Sequence, residues 1–209
     1  SDLDVLVGRF GDRPIFLGRA IQNYLNTSAE CLLYLARELA ANETPSIVVL
    51  QSLLRPVLMA SGRVVFILGS TDRKQQFTNA SIVMRQEGDS YLRALRAFSG
   101  FEHLRGFVAP SEVMAEVEAA VEKLRQGAPK RGEGQVLDEM AEFIAQEVGA
   151  REQGRVMSDS VTHAWHTFSG GAHGYVWPDN VPGDFIATFG VVVPVAHWAF
   201  DIAVTRTHV

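Results

Sequence analysis

Residues 111–127 read SEVMAEVEAAVEKLRQG and carry the clearest helical pattern in the chain. Valine and leucine recur in this stretch at spacings of three and four, which places them on one side of an α-helix. Charged residues fill much of the other side, and the stretch closes on a glycine, a residue type that often ends helices. The predicted inner stripe consists of Val113, Val117, Val121 and Leu124.

The same spacing continues outward along most of the chain. Pro14 can open the first helix, while Thr44 and Pro45 can cap and begin the second, in which Pro56 either kinks one helix or separates two. The sequence therefore predicts an all-α bundle of about six or seven helices in a single domain, 1–209. Besides 111–127, the predicted helices are 14–42, 45–69, 72–99, 135–148, 154–170 and 185–206, with an irregular segment at 1–13 and loops at 127–134 and 175–184.

Composition places the chain among ordinary globular proteins. Apolar residues make up 47% and charged residues 21%, and the formal net charge of −5 gives no reason to expect a nucleic-acid partner. The single cysteine, Cys31, excludes an intrachain disulfide and lies in an apolar helical context, which predicts an inert buried thiol. The pattern calls for no cofactor.

The cellular compartment is predicted from the start of the chain and from the length and composition of its longest apolar run. No targeting segment is apparent near the start of the chain. The longest apolar run, 185–200, has sixteen residues and contains Pro194 and His197, which falls short of the roughly 20 residues that a membrane span needs. We therefore expect a cytoplasmic protein with no membrane partner and a buried core helix at this position.

The stretch THAWHTFSGGAHGYVW, residues 162–177, concentrates histidines beside aromatics and glycines. At 100° per residue, Trp165 and Phe168 belong to a core stripe, and the histidines fall on the opposite side. An Asp with two or three histidines at this spacing has the donor atoms for a transition metal, although it matches no established metal motif. The weak candidate ligands are Asp159, His163, His166 and His173.

The glycine pair Gly170–Gly171 decides how this stretch is interpreted. If the helix ends there, Ser169, His173 and Trp177 hold the following loop against the bundle, and this is the favoured interpretation. If the helix continues, His173 joins His163 and His166 on one face, and a site becomes credible. The Ser–His pair lacks the context of a nucleophilic serine, since G-x-S-x-G is missing.

Three further polar features stand in apolar helices. Arg55 and Arg63 must each be paired or reach solvent, because an isolated buried charge is too costly. A buried ion pair or a contact with a carbonyl is the structural interpretation of each arginine, and contact with an anion or phosphate is the functional one. His197 and Asp201, spaced i, i+4, predict a histidine–carboxylate pair within the bundle.

Charge is divided unevenly along the chain. Residues 45–106 carry eight Lys/Arg against four Asp/Glu, and residues 111–152 carry five against ten. These basic and acidic faces either meet solvent and each other, or they drive self-association of two chains. The sequence leaves both open, and a homo-oligomer is the expected assembly.

Two segments together resemble a family. SLLRPVLMASGRVVFILG (52–69) and the S-x-x-A-H-G element within 166–177 are similar to segments of bacterial, often actinobacterial, all-helical proteins of unknown function. Those proteins distantly resemble helical-bundle nucleotide-binding and RNase domains of toxin and defence systems, whose signature is an Arg closely followed by a His. This chain departs from that signature, since seven residues separate Arg155 from His163. The resemblance implies a shared fold and a shared set of Arg55, Ser169 and His173.

Two functions follow as expectations. The first is a helical-bundle protein that acts by binding or self-association, with a polar cluster that is structural or holds a small ligand. The second is a metal- or His-dependent hydrolase, with RNA as the substrate by analogy alone. The candidate polar site in either case is Arg55, His166, Ser169 and His173.

Overall fold

The computed structural model describes residues 6–10, 13–41, 46–100, 103, 108–148, 151–172 and 185–207. The fold is all-α, as predicted, with a short hairpin ahead of its helices. The elements are β1 Leu6–Phe10, β2 Arg13–Phe16, α1 Leu17–Ala40, α2 Ile47–Leu68, α3 Arg73–Ser99, α4 Ser111–Gly127, α5 Glu133–Val148, α6 Arg151–Ala172 and α7 Phe185–Thr207.

The hairpin corrects two expectations at the start of the chain. Residues within 1–13 were expected to be irregular, and Pro14 was expected to open the first helix. Instead, Arg9 pairs with Pro14 in an antiparallel β1–β2 ribbon, and α1 begins at Leu17. A proline is tolerated in a two-stranded ribbon because every strand there is an edge strand, where a missing N–H breaks no inner ladder bond.

The second helix is one continuous element. Pro56 lies inside α2, so it does not separate two helices. The residue that precedes α2 is Ser46; Thr44 and Pro45 lie outside the described residues. The start of α3 follows the prediction, because the Asp72 carboxylate accepts a hydrogen bond from the backbone N–H of Lys74 at 3.0 Å.

The glycine pair does not end α6, which corrects the favoured interpretation of the histidine stretch. The helix passes through Gly170 and Gly171 to Ala172. Glycine costs a helix about 1 kcal/mol relative to alanine, which packing can offset. Gly170 is itself buried, so tertiary contacts rather than local propensity keep this turn helical.

The chain divides into two compact units. The first comprises Ser1–Ala20 with Ser70–Gly132, and the second comprises Ile21–Gly69 with Glu133–Val209. The single domain expected from sequence stays a prediction beside this division.

In the first unit, α3 and α4 pack on each other and on the hairpin strand β1. Their shared core contains Leu92, Leu95, Val117 and Val121, so the quoted valine stripe does point inward in its central part. The basic and acidic faces also meet here: Arg96 pairs with Glu118 at 2.8 Å, in an exposed position where an ion pair adds little stability.

In the second unit, α2 is the central helix and packs against α5, α6 and α7. Gly62 lies against Leu137, and Gly69 against Phe143, so α2 and α5 run in the same direction. Thr162 donates a hydrogen bond to Asp138 at 3.0 Å. A Cβ on Gly134 would stand 4.0 Å from the Trp165 ring. Because the earlier residue of α5 lies beside the later residue of α6, the two helices run antiparallel.

The last helix agrees with the prediction of 185–206 to within one residue. It extends to Thr207, and Arg206 donates hydrogen bonds to the carbonyls at the end of α2, Leu68 and Gly69. By length and composition alone, α2 and α7 are both long and apolar enough to span a membrane. In the most apolar 18-residue stretch of each helix, 50% of the residues of α2 and 39% of those of α7 are buried inside the protein. A core helix of a soluble protein passes the same test, so the expected absence of a membrane partner stays a prediction.

A buried hydroxyl pair joins α1 to α2, and it yields a test of that junction. Ser28 and Ser61 are both fully buried, and their hydroxyl oxygens lie 2.9 Å apart. We expect Ser28→Ala and Ser61→Ala to cost about 1–3 kcal/mol each, because each leaves a buried hydroxyl without its partner. The double variant should cost clearly less than the sum, as measured by urea unfolding. Strict additivity would contradict the pairing.

Candidate functional site

Arg55 reaches the first turn of α5. Its Nη2 atom lies 3.6 Å from Oε2 of Glu133, the first residue of that helix. The Arg55 side chain is 29% exposed and that of Glu133 is 41% exposed, so the pair sits at the border of the core. Arg55 is therefore both paired and in reach of solvent, as the cost of a buried charge requires.

Two buried N–H donors in this part of the second unit lack acceptors. Among the described residues, Nε of Arg55 and Nε1 of Trp165 are buried and have no hydrogen-bond partner. Trp165 belongs to the same neighbourhood, since its ring lies 4.0 Å from the point where a Cβ on Gly134 would stand. Leaving such donors without a partner costs about 1–3 kcal/mol each. The first turn of α5 also carries the partial positive charge of a helix start.

The remaining members of the predicted polar site differ in burial and in their position along α6. His166 is exposed and packs edge-on against Trp165, with ring centroids 4.6 Å apart. Ser169 is half-buried and stands one turn beyond Trp165 on the same side of α6. Because α6 is antiparallel to α5, that turn lies towards the start of α5. His173 lies outside the described residues.

The candidate metal ligands separate into smaller groups. Asp159 and His163 are exposed and line an open depression of about 280 Å³ between α6 and α7, with Ser160, Thr188 and two apolar residues. His166 does not line it. Within the described part of the chain, no three His, Cys, Asp or Glu side chains come together as metal ligands.

Two other predicted polar features have partners of their own. The Arg63 guanidinium lies 5.5 Å from the centre of the Tyr24 ring, a cation–π contact. His197 does pair with Asp201, at 3.4 Å, but both side chains are largely exposed, which corrects the expectation of a pair inside the bundle. They lie on the face of α7 opposite to the buried Val195 and Ala199.

Cys31 is half-buried, less than expected. Burial raises the pKa of its thiol above the ordinary value, and the neighbouring Glu30 carboxylate raises it further. The thiol therefore stays protonated at neutral pH. This agrees with an inert side chain, because the thiolate is the reactive form.

Sequence reasoning missed two contributors to the polar site. Glu133 appeared only as one of many acidic residues before a predicted helix, and Trp165 appeared as a core residue with no polar role. The signal for Trp165 was available, because an indole carries an N–H that needs an acceptor wherever it is buried. The signal for Glu133 was not, since nothing in the sequence joins it to Arg55, 78 positions earlier.

Comparison with models of protein families, with curated proteins and with solved structures finds no match for this chain. The function must therefore be argued from the site itself.

Proposed function

We propose that this protein binds a small anionic ligand, a carboxylate or phosphate, against the first turn of α5. The observation that carries the proposal is the pair of buried donors without acceptors, Nε of Arg55 and Nε1 of Trp165. Native proteins seldom leave such donors orphaned, and a bound acceptor is one way to satisfy them. An anion at the Arg55 donor would also lie near the positive end of the helix, and one that reached the Trp165 N–H as well would satisfy both donors.

The surroundings fit a weak, exchangeable ligand. Glu133 contacts one edge of the Arg55 guanidinium and is itself partly exposed, so it can move aside when a stronger anion arrives. Ser169 adds a hydroxyl one turn along α6. A guanidinium suits this role because its fork of donors matches the planar oxygens of carboxylate and phosphate.

The Trp165 indole N–H gives a direct readout. Titration with inorganic phosphate or with succinate, followed by ¹H–¹⁵N NMR, should shift the Trp165 indole signal downfield in a saturable way. Arg55→Gln should weaken binding about tenfold or more, since it removes the charge-assisted donor. Arg19→Gln, at an exposed arginine of α1, is the matched control and should leave the titration unchanged.

A second control separates the tryptophans. Trp165→Phe should remove the responding indole signal, whereas Trp198→Phe, on α7, should retain it. An indole signal that stays still with both anions, or a response that survives Arg55→Gln at full strength, would overturn the proposal.

The hydrolase alternative depends on different residues. It needs a reactive set at the depression lined by Asp159 and His163, or at His166 with His173. The first has two ionisable side chains within the described region, and the second includes a histidine outside it. The metal- or His-dependent hydrolase, with its distant likeness to RNase domains, therefore stays a prediction with less support than anion binding.

A further inference from the structure

The ion pair between Arg55 and Glu133 is a loose one. Nη2 of Arg55 and Oε2 of Glu133 lie 3.6 Å apart, whereas charge-assisted hydrogen bonds from nitrogen to oxygen are about 2.7–2.9 Å long. Arg125 and Asp89, whose side chains are exposed to a similar degree, approach to 2.7 Å. The Glu133 carboxylate therefore balances the charge of Arg55 without a hydrogen bond between these two atoms.

The position of Glu133 in the chain leaves its side chain free to turn. It is the first residue of α5, where the partial positive charge of the helix start favours a carboxylate. Gly132 precedes it and Gly134 follows it, so no side chain of an adjacent residue restricts its rotation. Because the Glu133 side chain is 41% exposed, its carboxylate can leave Arg55 and remain in contact with water.

We propose that Glu133 is a built-in competitor, which occupies the ligand's place beside Arg55 until an anion displaces it. This inference rests on the proposed anion site and describes how that site is regulated. The carboxylate uses the two attractions that an anion would use, the Arg55 guanidinium and the positive end of α5. The apparent affinity for an anion is therefore reduced to the fraction of molecules in which the Arg55–Glu133 pair is open. The site fills only above a threshold concentration of anion.

The contact between α2 and α5 does not depend on this ion pair. Gly62 of α2 and Leu137 of α5 pack closely, and both residues are buried. A loose pair with two partly exposed side chains adds little to stability by comparison. Opening the pair should therefore leave the two helices packed, so that Glu133 can exchange with a ligand while the first turn of α5 stays in place.

Glu133→Gln tests the competition, because it keeps the length of the side chain and removes its charge. Sodium formate and inorganic phosphate should each bind about tenfold more tightly to this variant than to the native protein, since neither has to open an ion pair or approach a like charge. Binding is followed at constant ionic strength by ¹H–¹⁵N NMR of the Gly134 and Gln135 amides, in the first turn of α5.

Glu142→Gln is the matched control for net charge. It makes the same chemical change at an exposed position of α5, about two and a half turns beyond Glu133. The affinities for formate and for phosphate should both stay at their native values.

Glu133→Asp separates displacement from long-range repulsion. It keeps the negative charge at the helix start but withdraws it from Arg55 by one methylene group, so both anions should again bind more tightly than to the native protein. Native affinity in this variant would overturn the displacement. Binding to Glu133→Gln that is no tighter than native would overturn the competitor and leave the anion site standing. If neither the native protein nor Glu133→Gln binds either anion, the anion site is overturned, and this inference with it.

Discussion

Replacing Phe168 with alanine should remove about 3–5 kcal/mol from the free energy of unfolding of the second unit. Phe168 is fully buried and heads the largest buried side chains of the described core. Its loss removes apolar contact on α6 and leaves a cavity that the neighbouring helices fill only in part. Because proteins of this size are stable by only about 5–15 kcal/mol, the expected loss is a large share of the total.

Urea unfolding followed by far-UV circular dichroism measures this loss. His163→Ala is the matched control, since it truncates an exposed side chain of the same helix and should change stability by less than about 0.5 kcal/mol. A Phe168→Ala protein as stable as its control would contradict the packing of α6 described above.

Gly62→Val should destabilise the second unit by about 2–3 kcal/mol for the opposite reason, overpacking. A Cβ on Gly62 would stand 2.7 Å from Cδ2 of Leu137, closer than side-chain carbons approach one another. Leu137 is itself buried, so it has little room to withdraw. The glycine therefore lets α2 and α5 approach closely, and a branched side chain would push the two helices apart.

Gly190 provides the control for Gly62, because it lies inside α7 and a Cβ there would meet nothing within 4 Å. Gly190→Ala should be neutral or stabilising by up to about 1 kcal/mol, through helix propensity alone. Thermal unfolding of both variants separates the steric effect from the general effect of replacing a helical glycine. Equal stability of the two proteins would show that close packing at Gly62 is not needed.

The candidate polar site was only half visible in the sequence. Arg55 stood out because a charge in an apolar helix must find a partner, and that argument holds for any fold. Its partner did not stand out, since Glu133 meets Arg55 only because α5 packs parallel to α2. The histidines are close together in the sequence, but in the structure their side chains have different surroundings. His163 lines the depression between α6 and α7, whereas His166 packs on Trp165.

The sequence by itself determined the all-helical class and most helix bounds, because three- and four-residue spacing and local caps such as Asp72 are properties of short segments. Tertiary structure decided the positions where the local sequence is compatible with two different structures. Pro14 went to a strand ribbon rather than to a helix start, and buried packing carried α6 through Gly170 and Gly171. Contacts between distant segments also decided which polar groups meet, since the energy of bringing Arg55 and Glu133 together comes from the helices that pack behind them.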